Sequence, residues 1–212
     1  MSTERERHGR RERQREDAEP GRKRLFVALP LDEAARAAIS GLADRVRADV
    51  PDADTLRWVR FESLHLTLRF LGSTHESQVP VLTSVIDTIA AEAAPFDVTV
   101  ARAGAFPTVV RPRVLWLGVR DGGEAIAALA QALTGPLAEA GWAPEERPFR
   151  VHLTLARADG VRAGAAVAAR LIDEAEGFEL RFPADRISLF ESYTERGGAR
   201  YVAVHQRRLG AG

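Results

Sequence analysis

The sequence predicts an α+β protein built as a pseudo-twofold duplication, with two mainly antiparallel sheets facing a central cleft and helices on the outside. Three observations lead there. The tetrapeptide His-Leu-Thr-Leu stands at His65–Leu68 and again at His152–Leu155, a spacing too long for a solenoid repeat and suited to one duplication. Strand-like and helix-like periodicities follow each other in similar order around both copies, the pattern of sheets with helices packed on them. Finally, 212 residues with 45% hydrophobic and 28% charged side chains suffice for one compact domain or two closely packed lobes and exclude a disordered chain.

Residues 1–22 hold seven Arg and six Asp or Glu, with no aliphatic side chain larger than alanine after Met1. They cannot bury apolar surface to offset ordering entropy, so they read as a disordered charged tail. The domain proper is expected over 23–209, as two intertwined lobes, with 210–212 a C-terminal end. It opens on the apolar run Leu25–Leu29, halted by Pro30, which reads as a buried strand. Asp32 can cap a helix in which Ala35, Ile39, Leu42 and Val46 recur at helical spacing until Pro51. A strand over Leu64–Phe70, a helix over Ser77–Ala94 and strands over Phe96–Ala105 and Arg113–Val119 follow. The order then repeats, with a helix over Glu124–Ala140, a strand over Val151–Ala156 and a helix near Gly164–Glu176. Strands around Phe178–Phe182, Arg186–Ser192 and Ala199–Arg207 complete the chain.

Composition also limits the chemistry. With no cysteine, disulfides, thiolate metal sites and a thiol nucleophile are excluded, leaving histidine, carboxylate and hydroxyl chemistry. Thirty basic and thirty acidic residues cancel, so the whole-molecule field does not indicate a nucleic-acid coat protein, although a local basic cleft is compatible with it. No stretch approaches the ~18 apolar residues of a membrane span, and the N-terminus lacks the apolar core of a signal peptide. A cytoplasmic monomer with no membrane partner is the expectation.

Side chains alternate along a strand, so His65 and Thr67 project from one face while Leu66 and Leu68 anchor the other. The same holds for His152 and Thr154 against Leu153 and Leu155. Two facing histidines are what phosphodiester cleavage without a metal requires, a neutral imidazole to take a proton and an imidazolium to supply one. The two threonine hydroxyls can donate to non-bridging phosphate oxygens. One His-x-Thr on an apolar strand is ordinary; two copies with matching leucines are not.

Residues Arg24–Leu29, His65–Gly72, Arg147–Arg157 and the closing Leu189–Ser192 through Tyr201 resemble the two-histidine phosphoesterases, specifically the RNA 2',3'-cyclic phosphodiesterase branch long called 2'-5' RNA ligases. The resemblance spans roughly Arg24 to Leu209. It implies a bilobal α+β fold with a V-shaped cleft and hydrolysis of a 2',3'-cyclic phosphate, on RNA or a nucleotide, to a 2'-phosphate, with no cofactor. It also implies His65 as proton donor and His152 as proton acceptor. Val151 departs from the proline many relatives carry before the second histidine, and still suits a strand. Arg157 falls by strict alternation on the leucine face and reaches the phosphate only if the strand ends or bulges there. Two alternatives remain: ligation, the same chemistry run in reverse, and a nucleotide- or RNA-binding module without turnover. His8, His75 and His205 lack a threonine partner and are assigned to surface or packing roles. Trp58, Phe61 and Phe149 are expected in the core or at the cleft rim, and Asp121-Gly122-Gly123 in a turn without the spacing of a phosphate-binding loop.

Overall fold

The computed structural model describes residues 20–145, 148–195 and 198–210. The tail reading falls almost wholly on residues 1–19, and Arg147, quoted above, is also outside the described residues, as are 211–212. Strand β1 (Arg22–Pro30) starts at the last residue assigned to the tail: Arg22 pairs with His75, and its Nε donates to Ser73 Oγ at 3.0 Å.

Two antiparallel sheets form. The first contains β1, β3 (His65–His75), β8 (Arg186–Glu195) and β9 (Gly198–Arg208), in the order β3-β1-β8-β9. The second contains β2 (Arg57–Trp58), β4 (Phe96–Pro107), β5 (Pro112–Asp121), β6 (His152–Arg157) and β7 (Glu179–Ala184), in the order β2-β6-β5-β4-β7. Position by position, β3-β1-β8-β9 corresponds to β6-β5-β4-β7, which is the pseudo-twofold relation; β2 is an additional edge. The sheets are not consecutive halves of the chain, however. The last two strands return to β1, so the first sheet joins the two ends of the domain.

Helix α1 (Glu33–Asp49) starts as expected at Asp32, whose side chain accepts from Ala35 N at 2.7 Å. It buries Ala35, Ile39, Leu42 and Val46, the residues its periodicity marked. Helix α2 (Val79–Glu92) begins two residues later than the pattern suggested, because Glu76–Gln78 forms a 3-10 turn capped by His75. Helix α3 (Gly123–Glu139) follows Gly122, whose φ of 82° suits glycine and where a Cβ would lie 2.6 Å from Asp97 O. Helix α4 is Gly164–Glu174. Helices α2 and α3 pack together and cover the first sheet, α1 and α4 the second. Each sheet with its two helices is a lobe, and the inward leucines of both motifs join one continuous core. Among the described residues no helix is long and apolar enough to cross a membrane.

Candidate active site

The two motifs fold alike to the residue. Burial along His65–Phe70 and along His152–Arg157 runs in the same sequence: half-buried, buried, half-buried, buried, buried, exposed. Strict alternation fails at the fifth position of each because both strands bulge. The register of β3 on β1 slips between Thr67 and Arg69, and that of β6 on β5 slips between Thr154 and Ala156. A bulge adds one residue and reverses the parity beyond it. Arg157 is thereby brought to the face of His152 and Thr154, meeting the condition its position set. Its counterpart in the first motif is Phe70, which is 61% exposed. Phe26 contacts both His65 and Phe70, at ring-centroid distances of 4.7 and 6.2 Å, so these two share a face. Sequence reasoning missed Phe70. Aligning the two motifs would have found it, since it stands in Arg157's slot.

Both imidazoles are held in the same way. His65 Nδ1 lies 2.8 Å from Ser63 O and His152 Nδ1 lies 2.7 Å from Arg150 O. A carbonyl only accepts, so each Nδ1 carries the proton and each neutral ring keeps its lone pair on Nε2. Strands β3 and β6 lie in contact, which brings the strands that carry the two motifs together.

The surroundings differ. His65 lies against Phe26, Phe190 at 6.0 Å and the edge of Tyr201 at 5.0 Å. Burial disfavours its charged form and lowers its pKa to about 4, against a smaller upward pull from the Ser63 carbonyl. His152 has one ring neighbour, Phe106, edge-on at 5.3 Å, with the Arg150 guanidinium 5.8 Å over that Phe106 ring. Beside Thr154, Trp116 pairs in register and lies against Gly104, where a Cβ would come within 2.4 Å of its ring. Burial raises the Tyr201 phenol, while the positive charges of Arg157 and Arg24 oppose the rise. Arg157 of the second lobe is therefore near enough to Tyr201 of the first for their charges to interact.

The remaining candidates have other employment. His75 Nδ1 accepts from Ser77 N at 3.2 Å, His205 Nε2 lies 2.7 Å from Asp87 Oδ1 and ties β9 to α2, and Trp58 Nε1 donates to Ala53 O at 3.0 Å. Phe61 and Trp58 pack on the core and Phe149 is exposed. His8 lies outside the described residues. The Asp121–Gly123 turn opens α3.

A family model described as the 2'-5' RNA ligase superfamily matches residues 30–196. The chain is 31% identical over 187 residues to an RNA 2',3'-cyclic phosphodiesterase of Methanothermobacter thermautotrophicus, covering 88% of this chain and 98% of that protein. It is 32% identical over 136 residues to one of Geobacillus stearothermophilus, a match that spans 42% of the relative's length. Among solved structures, E. coli LigT complexed with 3'-AMP superposes with a TM-score of 0.68 at 28% identity, over 89% of this chain and 98% of that one.

Proposed function

The chain belongs to the 2'-5' RNA ligase superfamily, and on that premise we propose that it hydrolyses a 2',3'-cyclic phosphate at an RNA or nucleotide end to a 2'-phosphate, two imidazoles moving the protons. The observation that carries the reading is the duplicated pair, His65 with Thr67 and His152 with Thr154, each histidine pinned at Nδ1 by a carbonyl so that Nε2 remains for chemistry. Water attacks phosphorus as one imidazole takes its proton. The bond from phosphorus to the 3'-oxygen breaks, and the other imidazole protonates that oxygen. Thr67 and Thr154 donate to the non-bridging oxygens, Arg157 offsets the developing charge, and Phe70 offers its exposed ring to the nucleobase. One chain supplies both motifs, which supports a monomer as the acting unit.

The family resemblance makes His65 the donor and His152 the acceptor. For His65 to donate, the bound phosphate anion must recharge it. Burial of His65 favours a second reading with the roles exchanged, because His65 is neutral with its Nε2 lone pair ready before substrate arrives. A cyclic phosphate with sulfur in place of the 3'-oxygen needs no protonation on leaving. It should restore turnover to whichever of His65→Ala and His152→Ala has lost the donor. The function itself is tested by incubating the protein with cyclic-phosphate-ended RNA in excess EDTA and identifying the product. A 2'-phosphate is expected; loss of turnover on chelation, restored by a divalent ion, would sink the mechanism.

A further inference from the structure

The fifth position of each motif is buried by its bulge, yet it holds Ala156 in the second lobe and Arg69 in the first. A guanidinium that is 5% exposed is costly unless it is engaged. Its Nη2 donates to Ala143 O, while Nε has no hydrogen-bond partner among the described residues and lies 4.0 Å from Glu145 Oε1. That same carboxylate oxygen accepts from the backbone N–H of Phe70 at 3.2 Å. Nearby, Trp142 Nε1 donates to Thr74 Oγ1 at 3.4 Å. All these contacts join β3 to the segment that leads from α3 into β6.

The lobes differ in a way that explains the arginine. The segment leading into the first motif docks on the second lobe by backbone: β2 pairs with β6, and Val59 N donates to Leu155 O at 2.9 Å. The segment leading into the second motif docks on β3 in return, but among the described residues it adds no strand to the first sheet, which there has four strands where the second has five. Arg69 and the Phe70 amide take the place of that missing strand pair. They hold Ala143 and Glu145, upstream of Arg150, whose carbonyl accepts the Nδ1 proton of His152.

We infer that Arg69 is a positioning residue for His152: from the strand that carries His65 and Thr67, it anchors Ala143 and Glu145, and through them the placement of the Arg150 carbonyl that orients the second histidine in the opposite lobe. The inference rests on the proposed hydrolysis, and its test has an arm that does not. In the full-length chain, Arg69→Met keeps the bulk and removes the donor to Ala143 O. It should lower kcat on 2',3'-cyclic AMP about 10- to 100-fold with KM changed by less than about threefold, the scale of a misplaced catalytic group. Arg69→Lys, which can still reach a carbonyl, should recover most of that loss. In protein labelled with 15N at histidine, the Nδ1 proton of His152 should exchange faster in Arg69→Met and stay slow in Arg69→Lys.

Arg69→Met that melts normally and keeps both kcat and the His152 proton unchanged overturns the inference. So does a loss of kcat with the His152 signal untouched, which would mean a structural role only. Should Arg69→Met not fold, Glu145→Gln, which keeps an acceptor for the Phe70 amide but removes the counter-charge, is judged by the same two readouts. If the wild-type protein hydrolyses nothing, the proposed function fails while the NMR arm still decides the role of Arg69.

Discussion

The first lobe closes three aromatic rings around its histidine, whereas among the described residues the second sets one ring edge against its own. Two motifs of nearly identical sequence, with the same burial pattern along the strand and the same backbone hydrogen bond at Nδ1, have thereby become chemically unequal. The lesson is that a duplicated pair acquires separate tasks through what surrounds it. Acid–base catalysis needs one charged and one neutral imidazole at the same moment, and unequal aromatic enclosure is a direct way to set two like rings apart.

The comparison is broken most severely by deleting either member. His65→Ala and His152→Ala should each lower turnover roughly 100- to 10,000-fold in initial-rate assays, and the double variant should lose far less than the product of the two. Losses that multiplied fully would mean the two rings act independently. Thr67→Val and Thr154→Val come next, each expected to cost about 10- to 1000-fold by the scale of lost oxyanion donors. Equal losses would place the asymmetry in the histidines alone, whereas unequal losses would extend it to the phosphate oxygens.

The fifth-residue partners sharpen the contrast further. Phe70→Ala should raise KM roughly 5- to 100-fold, from about 1–3 kcal/mol of lost base stacking, on both cyclic mononucleotides and RNA. Arg157→Ala should act on kcat as well as on KM if, as proposed, its charge offsets that of the phosphate; a pure KM effect there would assign it to the nucleoside instead.

The smallest expected effect is on stability against pH. Burial holds the His65 pKa near 4 in the folded chain, below the ~6.5 of an exposed histidine. The unfolded chain therefore binds the proton first as pH falls. The folded state is favoured fully above about pH 6.5 and loses roughly 1–3 kcal/mol on the way down to about pH 4. His65→Phe should flatten that part of the melting-temperature profile, and His152→Phe should leave it in place. The same shift carries the His65 limb of the kcat/KM profile to about pH 4, lower than an ordinary imidazole would set it.

Much of this was legible because it rested on local pattern. The strand faces of both motifs, the capped helix after Asp32 and the duplication all follow from spacing. The bulges did not, because a register slip depends on the partner strand: period-two reasoning left the face of Arg157 conditional on a bulge and by itself gave no reason to expose Phe70 or to bury Arg69. Strand β2 escaped because two residues, Arg57 and Trp58, are too short to show alternation. The aromatic enclosure of His65 escaped for a different reason. Phe26, Phe190 and Tyr201 meet only because β8 and β9 come back to β1, and no local signal announces a contact between the two ends of a domain. With that return unseen, the two histidines looked equivalent.

The reciprocal docking of the two lead-in segments also bears on how the molecule moves. A cleft between two lobes invites comparison with a pair of jaws hinged at one end. Here each jaw holds a strip of chain belonging to the other, β2 on β6 and the Trp142–Glu145 segment on β3, and Arg60 adds an ion pair across the lobes to Glu195 at 2.7 Å. Opening would strip backbone hydrogen bonds on one side and uncover a buried cation on the other. Contacts of this kind make opening costly, so a gap held by them would act as a caliper, meeting the proposed cyclic phosphate with little of the ordering cost that a closing mouth incurs.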